Sequence, residues 1–185
     1  MNRVALYGGS FDPPHVGHVM AVAWVLSSTD VDALWLVPCF QHAFGKPLSS
    51  YEHRREMCRL AVRPFDKARV AVNDVEARLG GTSRTIDTVQ LLASEHPDVR
   101  FDVVVGADIF KDSGSWKRFD ELQRLCRFLV LGREGYPSPE GVVTSPTIPD
   151  VSSTSVRERV RSGGDVSVLL PRDVAAYVAE HGLYR

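Results

Sequence analysis

The sequence predicts one α/β domain over residues 1–185, built on a doubly wound, mainly parallel sheet with a small helical region at its C-terminal end. Three observations carry that expectation. Short apolar runs recur at Val4–Tyr7, Leu34–Val37, Arg69–Val72, Phe101–Val105 and Phe128–Leu131, with helix-period patterns between most of them, the alternation a parallel sheet needs. The first run passes directly into Gly8-Gly9 and a proline-led helix start, placing a turn at the strand C-terminal edge where such folds collect ligands. The 185 residues are 44% hydrophobic, enough for one ample core and too few for a comfortable second one.

Val4–Tyr7 is short and apolar, as a buried strand is, and two glycines let the following backbone bend and meet a ligand without a Cβ in the way. Pro13-Pro14 sets φ for a helix in which Val16, Met20, Ala23 and Val22 to Leu26 keep helical spacing. Ser50-Tyr51-Glu52-His53 leads into a helix over Arg54–Val62 with Met57, Leu60 and Ala61 as its apolar stripe. Thr85–Ser94 repeats the device with Ile86, Val89, Leu92 and Ala93, and these two helices are expected to cover the sheet. Gly135–Pro149, with prolines at 137, 139, 146 and 149, reads as a surface connection holding at most a short strand near Val142–Val143. Hydroxyls at 152–155 cap a short helix, Val156–Arg161, that Gly163-Gly164 stops. A last helix starts at Pro171, buries Val174, Ala175 and Val178, and ends near Gly182.

A formal charge of −1 lacks the basic excess of proteins that grip long nucleic acid, so local basic groups must do any phosphate work. Arg157, Arg159 and Arg161 could form a basic strip, but Glu158 and Asp165 interrupt it, and nucleic acid is not an expected partner. Cys39, Cys58 and Cys126 are odd in number and widely spaced, which fits structural, reduced thiols of a cytoplasmic protein. No secretory pattern or membrane-length apolar run is present, so no membrane partner is expected. Exposed helices and sheet edges are available for a homo-oligomer, and no heptad pattern selects among them.

Two segments carry chemistry. Gly8, Gly9, Ser10 and Phe11 form a turn with exposed N–H groups, and His15 and His18, three apart, share one face at the helix start. A helix N-terminus already favours an anion, and imidazoles add donors that become cationic as negative charge develops. A metal pair is the competing reading, but no convincing cysteine or carboxylate cluster completes it. The turn matches neither the dinucleotide Gly-x-Gly-x-x-Gly pattern nor a P-loop. Ser153 and Thr154 at a second helix start, followed by Arg157, gather hydroxyls, N–H groups and a guanidinium at one end. Two helix-terminal anion sites in one domain are what a nucleoside triphosphate requires.

These segments, His15-Val16-Gly17-His18 and Ser152-Ser153-Thr154-Ser155-Val156-Arg157, resemble the hallmarks of the His-x-Gly-His nucleotidyltransferase superfamily. Within it the chain resembles the nicotinate-nucleotide adenylyltransferases. The match also takes in Arg54 to Ala61, Glu76, Thr85-Ile86-Asp87-Thr88, Gly106-Ala107-Asp108, Trp116, Asp150-Val151 and the ending His181-Gly182-Leu183-Tyr184. The resemblance implies a Rossmann-like nucleotidyltransferase domain that joins ATP to a pyridine mononucleotide with release of pyrophosphate, aided by Mg²⁺ bound mainly through ATP. It implies that His15, His18 and Lys46 act on the triphosphate, with His18 foremost. Gly8, Gly9, Ser10, Phe11, Ser153, Thr154 and Arg157 would bind ATP, Asp108 would face a ribose, and Thr85 and Trp116 would hold the pyridine nucleotide, Trp116 by stacking. Half-buried packing is the alternative use of Trp116.

Two departures bear on these roles. Pro38-Cys39-Phe40-Gln41-His42-Ala43-Phe44-Gly45-Lys46 breaks the family's Pro-Pro-His-Lys order, so His42, Lys46 or neither meets phosphate. Ser83-Arg84-Thr85 stands where relatives often have Ser-Tyr-Thr. Arg84 could pair with a nicotinate carboxylate, pair with the mononucleotide phosphate, or face solvent, and the nicotinate form is favoured over nicotinamide. The competing functions are a phosphopantetheine adenylyltransferase, which lacks the Thr-x-Asp-Thr segment and the His-Gly-Leu-Tyr ending, and a non-catalytic nucleotide-binding module.

Overall fold

The computed structural model describes residues 2–42, 45–110, 116–136, 142–148 and 151–185. Ala43, Phe44, Pro137, Pro139, Pro149 and Asp150, named above, lie outside the described residues. In chain order the elements are β1 (Arg3–Gly9), α1 (Val16–Ser28), β2 (Ala33–Pro38), α2 (Tyr51–Val62), β3 (Val70–Val72), α3 (Val75–Leu79) and α4 (Thr85–Glu95). Then follow β4 (Arg100–Gly106), a 3₁₀ turn (Ala107–Phe110), α5 (Phe119–Leu125), β5 (Arg127–Gly132), β6 (Val143–Thr147), α6 (Ser153–Arg161) and α7 (Arg172–Glu180).

The six strands pair in parallel in the order β3-β2-β1-β4-β5-β6. The winding reverses between β1 and β4, and the crevice above their C-terminal ends is where such sheets bind ligands. One face packs against α3, α4 and α5 through Val75, Ile86, Val89, Leu92 and Leu122. The other packs against α1 and α2 through Ala21, Val22, Val25, Cys58 and Val62. Both faces of the central strands are therefore buried, which is why they read as unbroken apolar runs. The small C-terminal helical region forms its own core, with Val156, Leu170, Val174 and Val178 seated on Met57 and Ala61 of α2.

Several local expectations change. β1 runs straight through Gly8 and Gly9, so the glycines do not make the bend. The bend falls at Phe11, at φ +49°, whose ring is 1% exposed and edge-on to Tyr7 and His18. Met20 points outward on α1. The second helix starts at Tyr51, a turn earlier than Arg54, because Ser50 Oγ accepts the His53 N–H and caps it there. The strand expected near Val142–Val143 is a full sixth strand, and α3 and α5 were not expected. With five and seven residues, these helices are too short for periodicity to show. Cys58 and Cys126 are buried, Cys39 is half-buried, and none forms a disulfide. Burial pushes the Cys126 thiol up to about 12 and raises the other two, which suits packing rather than nucleophilic chemistry. Among the described residues no helix is long and apolar enough to cross a membrane.

Candidate active site

The two ends of the polypeptide meet. Ser153 Oγ donates to the Pro13 carbonyl at 2.8 Å, and Arg157 Nη1 donates to the Asp12 carbonyl at 2.7 Å, so the start of α6 is fastened to the turn that delivers the histidines. Arg157 Nη2 also reaches Thr154 Oγ1 at 3.2 Å. Between these elements opens a cavity of about 460 Å³ lined by Gly8, Ser10, Phe11, His15, His18, Lys46, Asp108, Ser153, Thr154 and Arg157. Gly9 is not on its wall; a Cβ there would meet the Phe11 ring at 3.1 Å, so this glycine makes room for the aromatic side chain. A Cβ at Gly8 would meet nothing within 4 Å, which leaves open space beside that backbone.

His15 is the N-cap of α1 and His18 its third helical residue, with ring centroids 3.8 Å apart. The backbone N–H of His15 donates to His18 Nδ1 at 3.0 Å, so neutral His18 carries its proton on Nε2 and offers a donor there. His15 Nδ1 is buried without a hydrogen-bond partner among the described residues. Gly17 lies so close that a Cβ on it would sit 3.1 Å from the His15 ring. Burial, then the nearby Arg133 charge, lowers the His15 pKa from 6.5 to about 4. Burial, then His15 and Arg133, holds His18 well below its ordinary value. Both imidazoles are therefore neutral near pH 7 in the free protein, and only an added anion would favour charging them.

Arg133 was not singled out from the sequence, although a cation just past the end of β5 stands where parallel sheets place ligand groups. It lines the larger cavity and pairs with Asp108 at 3.2 Å. Arg54, quoted above only within the matched helix, is 1% exposed and spends its guanidinium on backbone carbonyls. Nε donates to Ser49, Nη1 to Ser10 and Cys39, and Nη2 to Phe40, at 2.7–3.2 Å. It thereby locks the turn after β1 to the loop after β2.

A second cavity, of about 300 Å³, adjoins the first and shares Gly8, Ser10, Val104 and Trp116 with it. Its wall includes His42, Glu76, Arg84, Thr85 and Lys117. Of the two candidates left open on the broken motif, Lys46 borders the cavity of the histidines and His42 the smaller one, and both also line a third pocket beside Ser49 and Arg54. Thr85 opens α4, preceded by Arg84 as its N-cap. Glu76, mostly buried, accepts hydrogen bonds from the hydroxyls of Thr88, at 2.6 Å, and Ser83, and so holds the 83–85 segment against the cavity. Trp116 is half-buried, packs on the core beside Phe119, and still faces both cavities. Packing and ligand contact are therefore compatible in this residue.

Among the described residues no group of three or more His, Cys, Asp or Glu side chains is gathered to hold a metal. The larger cavity instead offers imidazoles, hydroxyls, a lysine and guanidinium groups, chemistry suited to phosphate oxygens. Two helix starts facing one polar cavity at the switch point of a parallel sheet, with a second cavity alongside, are the plan of a nucleotidyltransferase, and the model of the cytidylyltransferase-like family matches residues 6–159. A probable nicotinate-nucleotide adenylyltransferase of Anaeromyxobacter dehalogenans (strain 2CP-1) is 45% identical over 187 residues, covering 99% of this chain and 97% of that relative. Its counterpart in Myxococcus xanthus (strain DK1622) is 43% identical over 98% of this chain and 94% of its own. The chain belongs to this family, in its nicotinate-nucleotide adenylyltransferase branch. The fold is likewise that of a solved Plasmodium falciparum nicotinic acid mononucleotide adenylyltransferase complexed with NaAD, with a TM-score of 0.84 at 21% identity over 100% of this chain and 98% of that one.

Proposed function

We propose that this protein transfers the adenylyl group of ATP to nicotinate mononucleotide, forming deamido-NAD and pyrophosphate in NAD biosynthesis. The observation that carries the reading is the pair of adjoining cavities, one rich in anion donors and one closed by Thr85 and Trp116, which meet at Gly8 and Ser10. ATP would occupy the larger cavity and the mononucleotide the smaller, bringing the acceptor phosphate beside the α-phosphorus at the shared wall. A phosphate oxygen of the mononucleotide then bonds to the α-phosphorus as the bond to the bridging oxygen breaks, and pyrophosphate leaves.

Such a transfer needs alignment and charge stabilisation rather than a protein nucleophile. His18 Nε2–H, with His15 beside it, donates to the oxygens around the reacting phosphorus, and the anion favours protonation of rings that are neutral without it. Ser153, Thr154 and Arg157 hold the remaining phosphates at the start of α6, and Lys46 adds a movable charge. Asp108 faces the ribose. A Mg²⁺ ion bound mainly through ATP, and not by a ligand set of this chain, would supply positive charge against that developing on pyrophosphate. In the smaller cavity Trp116 stacks on the pyridine ring, and Arg84 favours a carboxylate over an amide. The test is pyrophosphate release with ATP, CTP and GTP against nicotinate mononucleotide, nicotinamide mononucleotide and phosphopantetheine. ATP with nicotinate mononucleotide should give the highest kcat/KM, and a preference for the amide or for phosphopantetheine overturns the assignment.

A further inference from the structure

The ending His181-Gly182-Leu183-Tyr184 has no part in the chemistry assigned above, yet it folds back onto the first turn of the site. Gly182, at φ +59°, reverses the chain after α7, and Tyr184 sits at φ +67°, a left-handed conformation that bulky residues rarely adopt. Such a conformation persists only where surrounding contacts hold it. Here the phenol makes the contact. Tyr184 Oη donates to Asp12 Oδ1 at 2.6 Å, across 172 residues of sequence, while its ring packs into the core shared by α2, α6 and α7.

Asp12 is 2% exposed, and its other acceptors are also used. Its Oδ2 takes the Ser49 N–H at 3.1 Å, and its carbonyl takes Arg157 Nη1 at 2.7 Å. One residue of the histidine turn is thus tied to the C-terminal tail, to the loop before α2 and to the start of α6.

We propose that Tyr184 is a positioning residue for the triphosphate: its hydroxyl fixes Asp12 and so sets the spacing between the histidine turn and α6. The proposal rests on reading the larger cavity as the ATP subsite. The bridge between the two phosphate-facing elements runs through the backbone carbonyls of Asp12 and Pro13, so any shift of the Asp12 backbone moves the anchors of Arg157 and Ser153 together. A phenol and the Ser49 N–H holding the two oxygens of a buried carboxylate are short restraints on that shift. Without the phenol, Asp12 Oδ1 must find another donor, and the turn must shift to supply one.

Tyr184→Phe keeps the ring and removes only the donor. Titration calorimetry with the Mg²⁺ complex of a non-hydrolysable ATP analogue should show binding roughly tenfold weaker, the size expected for loss of a hydrogen bond to a charged group. The KM for nicotinate mononucleotide should not move. Val178→Ala, which loosens α7 but keeps the hydroxyl, should bind the analogue as the wild type does. In the wild type, the analogue should slow amide exchange in residues 182–185, a readout that needs no variant. Unchanged affinity in Tyr184→Phe, equal loss in Val178→Ala, or a tail indifferent to the analogue would each overturn the proposal. If the wild type binds the analogue but transfers nothing to nicotinate mononucleotide, the acceptor assignment fails while the titrations still decide Tyr184. If it does not bind the analogue at all, both readings fall.

Discussion

Acid should unfold this protein partly through His15, and bound triphosphate should reverse the effect. The ring is 7% exposed, and burial together with Arg133 lowers its pKa from 6.5 in the unfolded chain to about 4 in the fold. Between those values the unfolded state holds a proton that the folded state refuses, so stability rises with pH across that window. Above pH 6.5 His15 costs nothing. Below pH 4 the full penalty applies, about 3 kcal/mol at roughly 1.4 kcal/mol for each pH unit between the two values. His18 acts in the same direction. Urea unfolding of the wild type and of His15→Asn at pH 7 and pH 4 measures it, since asparagine also caps helix starts well. The wild type should lose about 3 kcal/mol more than the variant on acidification. Equal losses would refute the burial argument. Because phosphates favour the charged ring, ATP binding near pH 5.5 should take up protons, seen as a calorimetric heat that varies with the buffer's ionisation enthalpy. Binding without proton uptake would remove the histidines from the triphosphate.

Gly8→Ala tests the open space beside β1: stability should hold or rise by up to about 1 kcal/mol, while kcat/KM falls on the order of 10²-fold as the methyl displaces substrate. Full activity would mean that no ligand approaches that backbone. His18→Ala should lower kcat on the order of 10²-fold, as for loss of one well-placed donor, and near-normal turnover would exclude it from the chemistry. Arg54→Met leaves the carbonyls of Ser10, Cys39, Phe40 and Ser49 without their donor. Chemical denaturation should show a loss of about 3 kcal/mol or more, and a loss within about 0.5 kcal/mol, ordinary for surface sites, would mean that water replaces the guanidinium freely.

The chain alone determined the architecture and pointed to the two helix starts proposed to bind phosphate, because both are written locally. Strands buried on both faces must be continuous apolar runs, and a helix that presents its N-terminus to phosphate needs its cap, its glycine and its donors within a few residues. The expectation of a bend at Gly8-Gly9 misjudged which residue turns, since the glycines sit in β1 and Phe11 takes the positive φ once its ring is buried. Only the tertiary structure decided what depends on distant partners. Arg54 looked like one more helix residue until four carbonyls from two loops closed around it, and Arg133, more than a hundred residues away in sequence, acts on both histidines from the wall of the cavity it shares with them. The contact from Arg157 to Asp12 spans 145 residues, and that from Tyr184 spans 172. Local periodicity reports which face of an element is buried, but which side chain meets it from across the chain is set when the layers pack.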